Sequence, residues 1–223
     1  MSEWWTYSLS DFLMFSPRTY YRLLQMYNAA LWPAHVLGVG AGVAILVGAR
    51  RGPPAGSRVV AGLLCVAWAW VAWGFLWQRY ATINSAATWM ATAFAAQAFL
   101  FAALALRREA HVGATRAHGI AQRIGFALTA VGVLAYPFVA VIAGRDVSTS
   151  EVFGLAPDPT VLATLGVALW AWHRPRLVLL PVPLAWCAVS GATLWTMGSP
   201  EWWLLPAAAV LSIAAAVRDR QGA

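Results

Sequence analysis

Two carboxylates, Glu151 and Asp158, lie close together in the segment EVFGLAPDPT (151–160), between two long apolar stretches. A carboxylate in such a place could bind a cation or contact a solute. It could also accept hydrogen bonds from the free backbone N–H groups at a helix start. These two kinds of role are compatible for one carboxylate, so the residues alone leave both open.

The structural interpretation rests on two local patterns around these acids. The stretch STSE (148–151) fits the S-x-x-E capping box, which predicts a short helix that begins near Ser148 and ends at Gly154. Asp158 followed by proline is typical of the start of the next helix. Contact with a cation or solute at the outer mouth of the protein is the competing interpretation.

Further polar groups lie within apolar stretches. His35 is the one ionisable group placed well inside such a stretch, where an ionisable residue is a functional candidate by default. A neutral imidazole could equally bond across helices, and interhelical hydrogen bonding is also the common use of a residue such as Gln97. The full set of candidate solute-path residues is Asn28, His35, Gln78, Arg79, Asn84, Gln97, Glu151 and Asp158.

Enzymatic chemistry has little support in the sequence. There is no zinc-ligand spacing, nucleotide-binding loop, Ser/His/Asp arrangement or pair of carboxylates inside a span, so we assign no catalytic or metal-binding residue. All fifteen basic residues are arginines, which excludes a lysine Schiff base. No histidine matches His35 in depth for paired haem ligation, and we predict no cofactor.

The elements that must position these groups are membrane helices. Hydrophobic residues make up 61% of the 223 residues and charged residues 10%, far below the roughly 25% of a soluble domain. Uncharged runs of about 20 residues recur, which is the length needed to cross about 30 Å of hydrocarbon. The sequence therefore predicts an all-α transmembrane protein, a bundle of seven membrane-spanning helices with an N-terminal interfacial amphipathic helix.

The predicted spans lie at about 29–49, 59–77, 86–106, 124–144, 159–173, 177–197 and 202–217. They divide the chain into an N-terminal segment (1–28), a transmembrane domain (29–217) and a tail (218–223). The fifth span is short, about 22 Å at 1.5 Å per residue. A re-entrant hairpin of spans five and six is the alternative, but it would bury the arginines of HRPR (173–176) at a cost of several kcal/mol.

Arginine placement predicts the orientation. Eleven of the fifteen arginines fall at one side of these spans, and only Arg18, Arg22, Arg79 and Arg145 fall at the other. The positive-inside rule then places the N-terminus outside and the C-terminus in the cytoplasm. Because the cations are dispersed over short loops, the net charge of +7 does not indicate nucleic-acid binding.

The segment before the first span has an amphipathic helical pattern. Ser16 can cap a helix whose first residue is Pro17. Arginines and a glutamine then share one face, and tyrosines and leucines share another: Arg18, Arg22 and Gln25 against Tyr20, Leu23, Leu24 and Tyr27. Such a helix lies in the plane of the membrane.

Trp70, Trp73 and Trp77 form a helical stripe in the second span. A cage for a flat or cationic ligand would need such rings together, whereas an interfacial belt or helix packing uses the same residues. We expect packing or a belt here.

Four segments carry a family resemblance: YNAALWPAH (27–35), WQRYATIN (77–84), EVFGLAPDPTVLATLG (151–166) and WCAVSGATLWTMGSP (186–200). With them the chain resembles an uncharacterised family of bacterial multi-pass membrane proteins, a domain of unknown function. The similarity covers nearly the whole chain. It implies location in the bacterial inner membrane and brings no catalytic residue with it.

We therefore expect an integral inner-membrane protein that binds or conducts a small solute or ion, with its outer opening at the polar ends of spans one to three and the 145–159 loop. The alternative is a non-transporting sensor or accessory subunit of a membrane complex. The expected partners are the lipid bilayer, a small solute or ion, and a membrane protein or second copy of the chain.

Overall fold

The computed structural model describes residues 14–48, 55–106, 119–170 and 176–221, with side chains over 14–48, 58–106, 119–170 and 177–219. Within these ranges the regular elements are helical and no strand occurs, which confirms the all-α prediction. The α-helices are α1 (Pro17–Leu31), α2 (Ala34–Gly48), α3 (Ala55–Trp70), α4 (Ala87–Leu106), α5 (Ile120–Ala130), α6 (Val139–Ile142), α7 (Pro157–Trp170), α8 (Arg176–Leu179), α9 (Pro181–Thr196) and α10 (Leu204–Gln221).

Several predictions fall on segments outside the described residues. They concern the segment before residue 14, most of the arginine-rich loops (49–54, 107–118 and 171–175) and the last two residues of the tail. The histidines of those loops, His111, His118 and His173, belong to this group.

Helix α1 begins as the sequence predicts. The Ser16 side chain accepts a hydrogen bond from the Thr19 amide, and Pro17 takes the first helical position. Its inner face buries three residues, Tyr20, Leu24 and Tyr27, while Arg18 and Arg22 are exposed. The axis then bends by 89° into α2.

Two spans contain π-helical segments. Helix α3 continues into the π segment Val71–Trp77, and α5 continues into Val131–Ala135, a 3₁₀ turn at Tyr136–Phe138, and α6. Pro137 has no N–H to continue the α-helical ladder, which accounts for the second change of pitch. Such segments occur often at functional sites, and both lie close to the site described below.

Helix α7 forms the centre of the bundle, because every residue from Pro157 to Leu169 is buried. It packs closely against α5 through two glycines. A Cβ placed on Gly125 would lie 2.6 Å from the Gly166 carbonyl oxygen, so only glycine allows this approach.

Four stretches are long and apolar enough to cross a membrane: Arg58–Thr82, Ala87–Leu106, Ile120–Ile142 and Leu177–Thr196. Counting the bent pair α1 and α2 as one span gives up to five. Helix α7 has 14 residues, and α10 carries charged residues in its last turns. The helices are therefore compatible with membrane insertion, and seven crossings stay a prediction.

Candidate functional site

Helix α1 and three loops meet at one end of the bundle, which we call the polar end: loops 78–86, 143–156 and 197–203. The Tyr21 hydroxyl shares a 2.5 Å hydrogen bond with the Ser199 hydroxyl. The Phe15 ring lies against Tyr80, with 5.6 Å between the centroids. Residues far apart in sequence thus converge here, and most of the sequence-predicted polar candidates lie among them.

Asp158 is the buried centre of the polar end, and its side chain is held by neutral donors. Its Oδ1 accepts a hydrogen bond from Trp186 Nε1 at 2.7 Å. Its Oδ2 accepts two, from Ser190 Oγ at 2.8 Å and from the Tyr136 hydroxyl at 3.0 Å. Each of these donors is itself buried. These three hydrogen bonds favour the ionised form, whereas burial away from water favours the neutral one.

Three elements position this carboxylate and its donors. Asp158 lies in the first turn of α7, where the helix dipole favours negative charge. Tyr136 follows the π segment of the α5 span, and Trp186 and Ser190 are four residues apart on α9, so they share one face. The local pattern suggested that Asp158 caps the helix; instead α7 begins one residue earlier, at Pro157, and the carboxylate bonds to other helices.

A small cavity adjoins Asp158. Its volume of about 10 Å³ is roughly the space that one water molecule needs. Aromatic rings make up much of the wall, and they come from α1, the π segment of α3, the 78–86 loop and α9: Tyr20, Phe75, Tyr80 and Trp186. We call this the Asp158 cavity.

A second cavity of about 10 Å³ lies on the other side of Tyr136 and Leu194, and we call it the Glu151 cavity. Tyr136 and Leu194 are linked to both cavities: Leu194 lines both, and Tyr136 lines the second while its hydroxyl bonds to Asp158. Charged residues of the 143–156 and 197–203 loops also line it: Arg145, Glu151 and Glu201. The two cavities are therefore neighbours with a shared wall.

Arg145 and Glu201 form an ion pair in the Glu151 cavity, with 2.5 Å between Nη1 and Oε1. Both side chains are largely buried. The guanidinium also lies over the Tyr21 ring, 4.6 Å from its centroid. Since Arg145 is matched by Glu201, Glu151 brings an additional acid to the same cavity.

Glu151 does not form the predicted capping box. The short 3₁₀ helix Val147–Thr149 is capped by Asp146, whose side chain accepts a hydrogen bond from the Ser148 amide at 2.8 Å, and no helix runs on to Gly154. The capping-box prediction is wrong because Asp146 takes the capping position two residues earlier. Glu151 Oε2 is instead enclosed beside the cavity, with no hydrogen-bond partner among the described residues.

The burial of Glu151 changes the pKa of its carboxyl group. Removal from water, reinforced by the negative charge of Asp158, raises the pKa of Glu151 well above its usual range, and Arg145 offsets part of that effect. Asp146, fully exposed on the same loop, shows the opposite behaviour. Its hydrogen bonds with Ser148 lower the pKa of that carboxyl group.

Asn28 and His35 clamp the loop that carries Glu151. Asn28 Nδ2 donates to the Ser148 carbonyl at 2.7 Å and to the Ser150 carbonyl at 2.8 Å. Its Oδ1 lies 3.2 Å from His35 Nε2. His35 thus bonds across the bend between α1 and α2, and it does not line either cavity.

The other candidates lie apart from the two cavities. Gln78 and Arg79 are exposed, and Asn84 accepts a hydrogen bond from the Ala86 amide within its own turn. Gln97 is fully buried in the middle of α4 and donates to the Leu179 carbonyl at 3.1 Å. Pro183 lacks the N–H that would otherwise bond to that carbonyl, so Gln97 has a structural use.

The tryptophan stripe faces outward, as expected for packing or a belt. The side chains of Trp70, Trp73 and Trp77 are 41%, 59% and 49% exposed, and the last two are stacked with 6.4 Å between centroids. They form no enclosed cage.

The site also contains residues that sequence analysis did not single out as candidates: Tyr136, Arg145, Trp186, Ser190 and Glu201. The partners of Asp158 lie 22 to 32 residues from it in sequence, so no local motif joins them. The signal that could have found the site was compositional, because the chain has only eight acids and four of them fall in the 143–156 loop, the first turn of α7 and the 197–203 loop: Asp146, Glu151, Asp158 and Glu201.

No curated protein and no solved structure shows significant similarity to this chain. The model of a family described as "Family of unknown function (DUF6064)" matches residues 18–222, which include every residue of both cavities. The resemblance to an uncharacterised family is thereby confirmed, and the chain belongs to this family of unknown function.

Proposed function

We propose that the protein binds and passes a small monovalent cation across the bacterial inner membrane, using Asp158 as the binding group. The observation that carries the proposal is a buried carboxylate whose three hydrogen-bond donors are all neutral. Ionisable groups buried in helical membrane proteins are costly and mark ion or substrate pathways. From the sequence we expect a small solute or ion, and the buried carboxylate favours a cation.

The hydrogen bonds support an anionic Asp158. Trp186 Nε1 can only donate, so a proton on the carboxyl group would have to sit on Oδ2, and one of the two hydroxyls there would then turn from donor to acceptor. The negative charge then lacks a cationic partner, because its bonded neighbours are all neutral and Arg145 is paired with Glu201. A bound cation would supply the missing charge.

The Asp158 cavity limits the size and type of ligand. Its volume of about 10 Å³ admits one ion of about the size of water and excludes sugars and amino acids. Aromatic rings around a carboxylate suit a weakly hydrated monovalent cation, because their faces carry negative electrostatic potential. Divalent ions in proteins are bound chiefly by carboxylate and carbonyl oxygens, and this wall has a single carboxylate.

The length of α7 supports a site below the membrane surface. With 14 residues it spans about 21 Å, which is shorter than a hydrocarbon core of about 30 Å. A short helix enclosed by longer ones leaves at least one of its ends recessed. Asp158, at the N-terminal end, is therefore well placed to receive an ion from the polar end.

The test uses purified protein in detergent and in proteoliposomes. We expect Na⁺, K⁺ or NH₄⁺ to raise the thermal unfolding temperature relative to N-methyl-D-glucamine, and a gradient of the same ion to drive flux. Asp158→Asn should abolish both effects, and Asp146→Asn, a carboxylate removed from an exposed loop, should leave them intact. Because an amide at 158 faces three donors, Ser190→Ala provides a milder variant with weakened cation response.

Absence of any ion-dependent shift in the wild-type protein would refute the proposal. A shift without flux would refute the transport half and favour the alternative role as a membrane sensor or accessory subunit.

A further inference from the structure

The Glu151 cavity encloses polar atoms without partners. Glu151 Oε2, Glu201 Oε2 and Arg145 Nε are all inaccessible to solvent and without hydrogen-bond partners among the described residues. Glu201 as a whole is 92% buried, since its exposed fraction is 8%. Buried polar atoms normally have hydrogen-bond partners, so these two acceptors and one donor require water or an exchangeable proton as partners.

Two acids in this region, Glu151 and Asp158, have no cationic partner among the groups around Glu151. The groups that face Glu151 from the surrounding elements are Arg145, Glu201, Asp158, Tyr136, Tyr20, Tyr21 and Tyr80. Arg145 is the single cation among them, and it pairs with Glu201. With Asp158 ionised, as the proposed function requires, an ionised Glu151 would be a second unmatched carboxylate buried next to it. Two such carboxylates repel, so a proton on one of them is favoured.

We infer that Glu151 is a proton-binding site, and that binding of a cation at Asp158 releases its proton. This inference rests on the proposed function, because it assigns a second ion to the same site. The carboxyl O–H of Glu151 breaks, the proton passes to water in its cavity, and the carboxylate keeps the electron pair. The positive charge lost at Glu151 is replaced by the cation at Asp158.

The coupling is electrostatic and runs across the shared wall. Tyr136 lines the Glu151 cavity and donates to Asp158, so one side chain contacts both sites. After burial, the negative charge of Asp158 is the largest influence that favours the proton on Glu151, and a cation at Asp158 cancels it. By linkage, loss of that proton must strengthen cation binding by the same factor.

The raised pKa of Glu151 agrees with this assignment and gives the sign of the pH dependence. The folded protein holds a proton that the unfolded chain releases near the ordinary value of about 4.5. Glu151 therefore contributes stability fully below that pH, and the contribution is lost as pH rises through the folded-state pKa. Cation affinity should change over the same interval, in the opposite direction.

The experiment measures the dissociation constant of the ion identified above, Na⁺, K⁺ or NH₄⁺, by calorimetry between pH 5 and pH 9. For the wild-type protein we expect affinity to increase with pH, by at most about tenfold per pH unit for one proton. Glu151→Gln should bind with a pH-independent constant close to the low-pH value of the wild type. Asp146→Asn should keep the wild-type pH dependence.

A cation-independent readout separates the two proposals. The free energy of unfolding of Glu151→Gln minus that of the wild type should rise with pH, because only the wild type loses stability on deprotonation. No cation binding at any pH would refute the proposed function. Cation binding with the same pH dependence in Glu151→Gln, or an unfolding difference that is flat with pH, would overturn the proton site.

Discussion

At the scale of single residues, the feature that distinguishes this protein is how Asp158 is stabilised. Hydrogen bonds to a charged group contribute about 1.5–3 kcal/mol each, roughly twice as much as neutral ones. Three of them converge on this side chain. They offset much of the cost of burying a charge without using a counter-ion, and so leave the charge available to a ligand.

Removal of one donor tests this account. We expect Tyr136→Phe to lower the free energy of unfolding by about 1–3 kcal/mol and to weaken cation binding, because a buried carboxylate loses a donor. Tyr80→Phe makes the same chemical change in the wall of the Asp158 cavity, without a hydrogen bond to Asp158. Its cost should stay below about 1 kcal/mol. Reversible unfolding in mixed micelles measures both, and equal losses would contradict a special role for Tyr136.

At the scale of helices, the site depends on how closely α5 and α7 approach. A Cβ on Gly132 would lie 2.8 Å from the Ala163 amide nitrogen and from the Pro159 carbonyl oxygen. With Gly125 and Gly166 this gives backbone contact along most of α7. The first turn of α7 is thereby fixed next to Tyr136, which follows on the same span as Gly132.

We therefore predict that Gly166→Ala destabilises the protein by about 1–3 kcal/mol, since the added methyl group would meet the backbone of α5 near Gly125 and Thr129. Gly40→Ala is the matched control on α2. A Cβ there meets nothing within 4 Å, and alanine favours a helix more than glycine by about 1 kcal/mol. Unfolding curves of the two variants should shift in opposite directions; a tolerated Gly166→Ala would contradict close packing.

The sequence predicted well those features that depend on neighbours in the chain. Apolar runs indicated the helices, and Ser16 with Pro17 marked the start of α1, because caps and hydrophobic length are local properties. The same local reasoning misplaced Glu151, since STSE satisfies the capping pattern while Asp146 forms the actual cap. Prolines likewise suggested a cap at Asp158, although its partners come from other helices.

Features that depend on tertiary packing could not be predicted. The π segments at Val71–Trp77 and Val131–Ala135 have no amino-acid composition that distinguishes them from the α-helices around them. A π segment changes the direction in which side chains within it and after it project, here Phe75 within the first and Tyr136 directly after the second. The polar candidates just after the second predicted span show the same limit. Gln78 and Arg79 were included because they are hydrophilic, but in the structure both are exposed and line neither cavity.

At the scale of the whole molecule, the charged side chains are concentrated at the two ends of the bundle. Arg58, Arg123 and Arg218 lie at the helix ends remote from the polar end. Asp158, Glu151 and Glu201 are all at the polar end. Arg18, Arg22, Arg79 and Arg145 also lie at the polar end, so an entering cation would be attracted by the buried carboxylates and not by the surface of that end as a whole. The arginines remote from it would hold the opposite end in the cytoplasm.

This arrangement gives a direct topological prediction, in which the polar end faces the outside of the cell. In a background with Cys65 and Cys187 replaced by alanine, Val147→Cys should react with a membrane-impermeant maleimide in intact cells or spheroplasts. Val147 suits this purpose because 68% of its surface is exposed, whereas Ser150 is buried. Gln221→Cys, at the end of α10, should react only after the membrane is opened.

Val147 and Gln221 lie at opposite ends of the bundle whichever way it is inserted. Reaction of both from one side of the membrane would therefore contradict the three crossings that we predict between these two residues. Reaction of Gln221→Cys alone in intact cells would keep the bundle but turn its acidic opening toward the cytoplasm, which would reverse the direction from which the cation reaches Asp158.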